Sequence, residues 1–163
     1  MGTVLTPTAY HTELIDGLEI EKPLPKNLHA FIQTFLIQWF GRELPRQYRV
    51  ASELNVLCGK DRMVPDVTVV LRNARYLDGD LADPALVAVE ILSPGQTIGN
   101  LFDKADRIVR AGTPVCWVIW PERRQAWQYT AQELAEAKQQ LCASLVGGDA
   151  VAVNLSELWE ALD

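Results

Sequence analysis

The N-terminal third of the chain repeats its apolar residues with two different periods. "HTELIDGLEIEK" alternates apolar and polar positions on either side of Asp16-Gly17, and this pattern predicts a β-hairpin. Apolar side chains then recur at helical spacing after Asn27, a candidate N-cap, as far as Trp39, with Gly41 near the end. The sequence therefore predicts a hairpin followed by one long helix.

The middle of the chain predicts an α/β sheet. Two nearly apolar segments, "ALVAVEIL" and "VCWVIW", have the composition of strands that are covered on both faces. Between them, "GNLFDKADRIVRAG" has helical spacing up to Gly112, so this unit predicts a parallel crossover. "YRVASELNVLC" and "VPDVTVVLR" come earlier and predict two strands joined by a short turn. The predicted fold class is α/β, an α+β mixed sheet with the order hairpin, helix, three strands, helix, strand.

The C-terminal part of the chain has weaker patterns. "QAWQYT" predicts an antiparallel partner for "VCWVIW", and residues 131–140 predict a short helix or coil. Strands are expected around "ASLV" and "VAVNL", followed by a final helical turn. No repeat, low-complexity segment or linker interrupts the chain, so we expect residues 1–163 to form a single domain.

Composition narrows the class of protein. No window approaches the ~20 apolar residues of a membrane helix, so no membrane association is expected. Cys58, Cys116 and Cys142 lie in apolar runs, which predicts buried, reduced thiols in a cytoplasmic protein. The net charge of −6 is unfavourable for nucleic-acid binding, which requires cations to neutralise phosphates. Residues 42–75 are nevertheless locally basic, with seven Lys and Arg residues against four acids.

Two carboxylates interrupt the predicted buried strands. Asp66 begins one strand and shares a face with Thr68, whereas Glu90 lies inside "ALVAVEIL". An ionised carboxylate among apolar residues is costly unless it is paired, hydrogen-bonded or bound to a metal. Two adjacent carboxylates also repel each other unless a cation lies between them, and Mg²⁺ accepts such ligands. The structural alternative is that Glu90 ends a strand beside a helix N-terminus and that Asp66 lies in a turn.

The pairing of the two earlier strands adds a third acid. If these strands close over "GKDRM", Asn55 lies opposite Asp66 and Glu53 lies opposite Thr68. Glu53 is then a further candidate for the acidic cluster, because alternate residues of a strand share a face.

Lys104 is the cation that the second predicted helix can direct toward Glu90. Leu101, Ala105 and Ile108 form the inward stripe of that helix. Lys104 lies roughly 60° from the centre of the stripe, at about 100° per residue. The alternative is that its stem covers apolar surface while its ammonium stays in water.

Five segments together resemble a known family. They are "ELIDGLEIEKPLP", "NLHAFIQTFL", "VPDVTVV", "ALVAVEILSP" and "DKADRIVRAGTPVCWVIWP". In this order and spacing the chain resembles the Uma-two-type restriction endonuclease family of the PD-(D/E)XK nuclease superfamily, from about Glu13 to Pro121. The resemblance implies a restriction-endonuclease-like fold and a nuclease that cuts DNA with Mg²⁺, or Mn²⁺ in its place.

The resemblance also implies roles for individual residues. Asp66 matches the aspartate of the "PD" motif and Glu90 the acid of the next motif, so both would hold Mg²⁺ together with the Ile91 carbonyl. The usual lysine of the superfamily would stand two residues after this acid, where the chain has Leu92. Lys104, from the following helix, matches the lysine that takes its place in this branch. It would orient the attacking water or stabilise charge on the phosphate.

Three further residues are supporting candidates. Glu13 and His29 match the N-terminal acid and histidine of the branch, and Glu53 follows from the strand pairing alone. Each has a structural alternative: Glu13 as an exposed strand residue, and His29 as a hydrogen-bonding residue at the border of the apolar helix face. A tyrosine common one turn after the lysine is replaced by Ile108, which removes one polar contributor.

Alternative functions follow from the same residues. A catalytically silent nuclease-fold protein that binds nucleic acid or assembles with other proteins would suit the acidic net charge, but not the intact set of Asp66, Glu90 and Lys104. The chain has no "GxSxG" motif for a small-molecule hydrolase, and only His11 and His29 for a histidine-rich metal site.

Four aromatic residues lie in the predicted strand pair after the second helix. Base stacking is one interpretation, but their apolar setting favours packing in the core or across a homodimer interface. They are Trp117, Trp120, Trp127 and Tyr129.

Overall fold

A mixed six-stranded sheet forms the centre of the protein in the computed structural model, which describes residues 12–163. His11 lies outside the described residues. The helices are α1 (Asn27–Glu43), α2 (Ile98–Arg110) and α3 (Leu155–Glu160). The strands are β1 (Thr12–Ile15), β2 (Leu18–Glu21), β3 (Tyr48–Ser52), β4 (Val56–Cys58), β5 (Asp61–Met63), β6 (Val67–Leu71), β7 (Tyr76–Leu77), β8 (Asp80–Leu81), β9 (Val87–Ile91), β10 (Val115–Trp120), β11 (Gln125–Tyr129), β12 (Leu134–Glu136), β13 (Gln140–Ser144) and β14 (Ala150–Asn154).

The central sheet has the strand order β12-β11-β10-β9-β6-β3. Strands β9 and β10 are parallel and are connected through α2, whereas the other neighbouring pairs in this sheet are antiparallel. The predicted parallel crossover and the mixed α/β sheet are thus confirmed.

Alternation along β9 decides which helix each side chain meets. Val87, Val89 and Ile91 pack on the face covered by α1, together with Trp117. Ala88 packs on the opposite face, against α2. Because successive side chains point to opposite faces, Glu90 lies on the face of α2.

A second sheet carries the N-terminal hairpin and has the order β2-β1-β5-β4-β8-β7. Strands β1 and β2 pair around Asp16 and Gly17, whose φ angles are 52° and 78°. Two successive positive φ angles are typical of the tight turn that Asp-Gly favours. The predicted hairpin is confirmed.

The predicted pairing of "YRVASELNVLC" with "VPDVTVVLR" across a short turn is confirmed, but the turn is Gly59-Lys60 and not all of "GKDRM". The turn at Gly59 joins only the short strands β4 and β5, which belong to the second sheet. Outside them, β3 pairs with β6 in the central sheet, with Ala51 opposite Thr68. Glu53, two residues further on, therefore lies opposite Asp66 and donates its N–H to the Asp66 carbonyl at 3.3 Å. The predicted pairing was offset by two residues because the turn is tighter than expected: Cys58 pairs directly with Asp61, and one register continues from β4 and β5 into β3 and β6.

Other local predictions are also corrected. Lys26, and not Asn27, is the N-cap of α1, and it makes no side-chain cap. Residues 131–140, expected as helix or coil, contain strand β12, which pairs with β11. Cys142 is exposed because it lies on the outer face of β13, whereas Cys58 and Cys116 are buried as expected.

The aromatic residues of β10 and β11 pack within the chain. Trp117 is fully buried against Phe40 and donates its Nε1–H to the Cys142 carbonyl at 3.1 Å. Trp127 meets Phe102 of α2 edge to face. No helix within residues 12–163 is long and apolar enough to span a membrane.

Candidate active site

Asp66 lies at the start of β6 and is 1% exposed. Its Oδ2 accepts the Ile91 N–H at 2.7 Å, which continues the pairing of β6 and β9 through a side chain. Its Oδ1 lies 2.6 Å from Lys22 Nζ and 3.1 Å from His29 Nε2. Burial would raise the pKa of Asp66, but the Lys22 ammonium and His29 outweigh it and lower the pKa to about 2. Asp66 is therefore ionised at neutral pH.

Glu90 lies in the same buried region but has fewer partners. Its Oε2 is 4.0 Å from Lys104 Nζ, and its buried Oε1 has no hydrogen-bond partner. Burial raises the pKa of Glu90 to about 8, and the nearby Asp66 carboxylate acts in the same direction against the attraction of Lys104. Glu90 is thus the acid of the cluster whose charge is least compensated.

Lys104 reaches this region from α2 with only 12% of its side chain exposed. Its Nζ contacts Glu13 Oε1, and Glu13 Oε2 in turn accepts the Val64 N–H at 2.9 Å. Burial lowers the pKa of Lys104, but Glu90 and Glu13 outweigh burial and raise it above its ordinary value. Lys104 therefore stays an ammonium at neutral pH, in contact with one acid and close to a second.

Arg107 attaches the N-terminal hairpin to α2. It donates to both carboxylate oxygens of Asp16, at 2.9 and 3.1 Å, and to Asp61 at 3.3 Å. Because Asp16 forms the turn between β1 and β2, this contact fixes the hairpin that carries Glu13. The side chain of Arg107 thus helps to hold Glu13 against Lys104.

Lys22, immediately after β2, is a second buried ammonium with 7% of its side chain exposed. Besides Asp66, it contacts Glu53 Oε2 at 2.7 Å and the Val64 carbonyl at 2.6 Å. Gln33 from α1 donates to Glu53 Oε1 at 3.0 Å and to the Asp66 carbonyl at 2.8 Å. Burial lowers the pKa of Lys22, but Asp66, Glu90 and Glu53 raise it above its ordinary range.

The charges of this cluster do not balance. Four carboxyl groups stand against two ammonium groups, so two negative charges are in excess when all four acids are ionised. The acids are Glu13, Glu53, Asp66 and Glu90, and the bases are Lys22 and Lys104. This excess, together with the unpartnered Glu90 Oε1, fits a divalent cation at the Glu90 end of the cluster.

A metal site built from many side chains is not available. Within residues 12–163, no group of three or more His, Cys, Asp or Glu side chains is arranged to hold a metal. A Mg²⁺ site needs only one or two carboxylates, with water and other oxygen atoms completing the shell. Asp66 and Glu90 supply that number of carboxylates.

Comparison with known proteins identifies the family of the chain and agrees with its fold. The Uma2 family, described as "Putative restriction endonuclease", matches residues 4–160. The chain belongs to the Uma2 family. No curated protein matches the chain.

A solved structure resembles this Uma2 protein over nearly its full length. It is the crystal structure of a putative nuclease belonging to DUF820 from Anabaena variabilis ATCC 29413, with a TM-score of 0.79. The two share 24% identity, over 93% of this chain and 91% of the other. The likeness confirms the restriction-endonuclease-like fold class, and Uma2 membership supports a nuclease.

The structure brings all six side chains singled out in the sequence to one place. Asp66 and Glu53 contact Lys22, and His29 contacts Asp66. Glu13 and Glu90 lie beside Lys104. Their roles in catalysis stay predictions.

Leu92 and Ile108, which replace a lysine and a tyrosine of the superfamily pattern, both pack in the apolar core. Leu92 donates its N–H to Ile119 at 2.9 Å and continues the apolar edge of β9. Ile108 is fully buried in the inward stripe of α2, so this position packs the helix against the sheet. Ile91 contributes its N–H to Asp66, and the role expected for its carbonyl stays a prediction.

Lys22 and Gln33 were missed from the sequence. A signal for Lys22 existed, because β1 and β2 pair with Glu13 opposite Ile20. Lys22 is two residues beyond Ile20 and so shares the face of Glu13. Gln33 has no comparable signal. Nothing in the sequence around it indicates that its amide donates to the Glu53 side chain and to the Asp66 carbonyl.

Two cavities lie beside the cluster on either side of Gly95 and Gln96. One, of about 390 Å³, is lined by Glu13 and Lys104 and gives access to the Lys104 side. The other, of about 300 Å³, includes His29 but none of the four acids. The first cavity therefore reaches Glu13 and Lys104, whereas Asp66 and Glu90 line neither of these two cavities.

The raised pKa of Glu90 predicts how the stability of the metal-free protein depends on pH. The folded state has a pKa of about 8, above the ordinary value of 4.5, so it keeps a proton that the unfolded chain loses between these values. The free energy of unfolding should therefore fall between about pH 5 and pH 8, by at most about 1.4 kcal/mol per pH unit for one proton. Urea denaturation in EDTA measures this slope.

The variant Glu90→Gln serves as the reference for this measurement because it removes the titrating group. The lowered pKa of Asp66 does not interfere, since its contribution is lost only as the pH falls below 3.8 toward 2. We expect a shallower slope in the variant. Equal slopes in both proteins would show that Glu90 does not hold a proton in the folded state.

Proposed function

We propose that this Uma2 protein is a metal-dependent endonuclease that hydrolyses phosphodiester bonds of DNA. The observation that carries the proposal is the meeting of Asp66, Glu90 and Lys104 at one end of the sheet, with one oxygen of the buried Glu90 unpartnered. A buried acid without a partner is costly for folding, and such sites are frequently functional.

Asp66 and Glu90 would hold Mg²⁺, or Mn²⁺ in its place, together with the Ile91 carbonyl. When bound, the ion supplies Lewis-acid charge and lowers the pKa of a coordinated water. Asp66 is suited to this role because it is ionised at neutral pH and its Oδ2 is fixed by the Ile91 N–H at 2.7 Å. His29 and Lys22 hold its other oxygen.

Lys104 would stabilise negative charge that develops on the phosphate, or orient the attacking water. Its raised pKa keeps the ammonium charged, so charge stabilisation suits it better than proton abstraction. Glu13 positions it, because one Glu13 oxygen contacts Lys104 and the other is held by the Val64 N–H. In this role Glu53 is a positioning residue for Asp66, through Lys22.

The expected homodimer was based on aromatic strand residues without an obvious cover, and most of these residues are covered within the chain. Trp127 and Tyr129 contact α2, and Trp117 contacts β13. Trp120 instead lies against Arg123. A different apolar surface remains at the edge of the second sheet, where Leu18 and Ile20 of β2 are 67% and 44% exposed. We propose that this edge is a dimer interface, and a monomeric mass in solution would exclude it. A cytoplasmic location stays a prediction.

Cleavage of DNA in the presence and absence of metal tests the proposed function. We expect wild-type protein to nick or cut plasmid and single-stranded DNA with Mg²⁺ or Mn²⁺, and to leave both intact in EDTA. Matching RNA substrates test whether the activity is confined to DNA. If folded protein that binds Mn²⁺ cuts none of these, the catalytically silent binding or assembly module becomes the better interpretation.

A further inference from the structure

Lys22 is surrounded as a metal ion would be. Its Nζ lies 2.6 Å from Asp66 Oδ1, 2.6 Å from the Val64 carbonyl and 2.7 Å from Glu53 Oε2. An ammonium has three N–H donors, and here three oxygen atoms stand within contact distance of it. Two carboxylates and a backbone carbonyl are also the ligand types that Mg²⁺ and Ca²⁺ take in proteins.

The oxygen atoms around Lys22 are held from outside. Gln33 fixes the second oxygen of Glu53 at 3.0 Å and the carbonyl of Asp66 at 2.8 Å. Glu53 also has a φ of 52°, a left-handed conformation that is unfavourable for a residue with a side chain. Strain of this kind persists only where surrounding contacts impose it, so the position of this carboxylate is a built feature and not a chance contact.

Asp66 lies between this arrangement and Glu90. Its Oδ1 faces Lys22, and its Oδ2 binds the N–H of Ile91, the residue next to Glu90. Oδ1 has no hydrogen bond of good geometry, so charge attraction dominates its contact with Lys22. The Asp66 carboxylate thus lies between the Lys22 ammonium and the candidate metal position at Glu90.

We propose that Lys22 is a built-in cation that fills a second cation position of the site, so that the protein takes at most one divalent ion, at the Glu90 end. The Glu90 end of this inference rests on the proposed function, whereas the Lys22 end rests on the contacts of Lys22 alone. A neutral side chain at position 22 would leave Asp66 and Glu53 facing each other without a cation. Two buried carboxylates in that arrangement either take up a proton or bind a cation.

Metal stoichiometry tests this inference without reference to cleavage. We compare wild type, Lys22→Met and the matched control Lys60→Met, whose native lysine is 79% exposed. Isothermal titration with Mn²⁺ counts the bound ions, and melting temperatures in EDTA and in Mn²⁺ report whether metal supports the fold. We expect Lys22→Met to bind one Mn²⁺ more than wild type, and Lys60→Met to bind the same number as wild type.

The melting temperatures give a second result. Lys22→Met should melt lower than wild type in EDTA and regain most of that loss with Mn²⁺, because the ion replaces the missing ammonium. Lys22→Gln, which keeps a polar side chain, is prepared in parallel and refolded with Mn²⁺ in case Lys22→Met does not fold in EDTA. Recovery of fold only with metal supports the inference for either variant.

The outcomes separate this inference from the proposed function. If wild type binds no ion and the variant binds one, the role of Lys22 stands and the metal-dependent nuclease does not. If wild type, Lys22→Met and Lys22→Gln each bind one ion, the nuclease proposal stands and the role of Lys22 is overturned. Loss of the fold in both variants, unrelieved by Mn²⁺, would also overturn it, since Lys22 would then be a structural ammonium that no divalent ion can replace.

Discussion

Glu90→Gln is expected to remove metal-dependent DNA cleavage while leaving the fold intact. The amide has the shape of the acid but a weaker metal-binding oxygen and no charge. Loss of a residue that only supports a metal ligand already costs about 10–100-fold in affinity or activity. Removal of a ligand itself should therefore lower the cleavage rate by more than about 100-fold.

The same substitution should stabilise the metal-free protein at alkaline pH. Glu90 is 1% exposed and its Oε1 has no partner, so its charge is costly to bury. A neutral amide avoids that cost. The expected combination, lower activity and higher stability, distinguishes a functional acid from one that holds the structure together.

A surface variant controls for the effect of any Glu→Gln change. Glu43 lies at the end of α1, 14 residues beyond His29, which is about 21 Å along a helix. Its side chain is 46% exposed and pairs with the adjacent Arg42. Glu43→Gln should cleave DNA and bind Mn²⁺ like wild type. Cleavage by Glu90→Gln at the rate of this control would exclude Glu90 from the metal site.

The parts of the site that follow local periodicities were predictable. The two-residue period of β9 places Glu90 on the face of α2, and the helical period of α2 places Lys104 at the border of its inward stripe. Only the right-handed connection between β9 and β10 is then needed to bring the helix over the sheet. The contact of 4.0 Å between their charged atoms agrees with that expectation.

The parts that depend on chain topology were not predictable from the same patterns. The turn at Gly59 is correctly located, but only Gly59 and Lys60 separate the paired residues Cys58 and Asp61. The same register continues into β3 and β6 and places Glu53 opposite Asp66, and no period along the chain reveals how tight the turn is. Lys22 was missed because it lies where the hairpin pattern gives way to "KPLP", which indicates only the end of a strand.

Resemblance to a family supplied what periodicity did not. His29 lies near the border of the apolar face of α1 by the helical period, which favours a structural hydrogen-bonding role over a catalytic one. Its place beside Asp66, with 4% exposure, depends on the packing of α1 against the sheet through Ile32, Leu36 and Phe40, which no single segment of the sequence encodes.

The second large effect is expected for Lys104→Met. If the ammonium stabilises charge on the phosphate, its loss should lower the cleavage rate by about 100- to 1,000-fold, the cost of removing one comparable electrostatic donor. Mn²⁺ binding by Asp66 and Glu90 should survive, because Lys104 is not a ligand. Titration with Mn²⁺ and single-turnover cleavage assays measure the two effects separately.

The difficulty in interpreting Lys104→Met is that Lys104 also neutralises Glu13. Glu13 is 1% exposed, and an uncompensated buried charge costs about 3–5 kcal/mol of stability. A slow variant could therefore be a damaged one.

The double variant Glu13→Gln/Lys104→Met separates these effects, because it removes both charges of the pair while keeping an amide oxygen that accepts the Val64 N–H. We expect the double variant to recover most of the stability and none of the activity. Recovery of both would mean that Lys104 serves only to neutralise Glu13, and the charge on the phosphate would have to be met by another group.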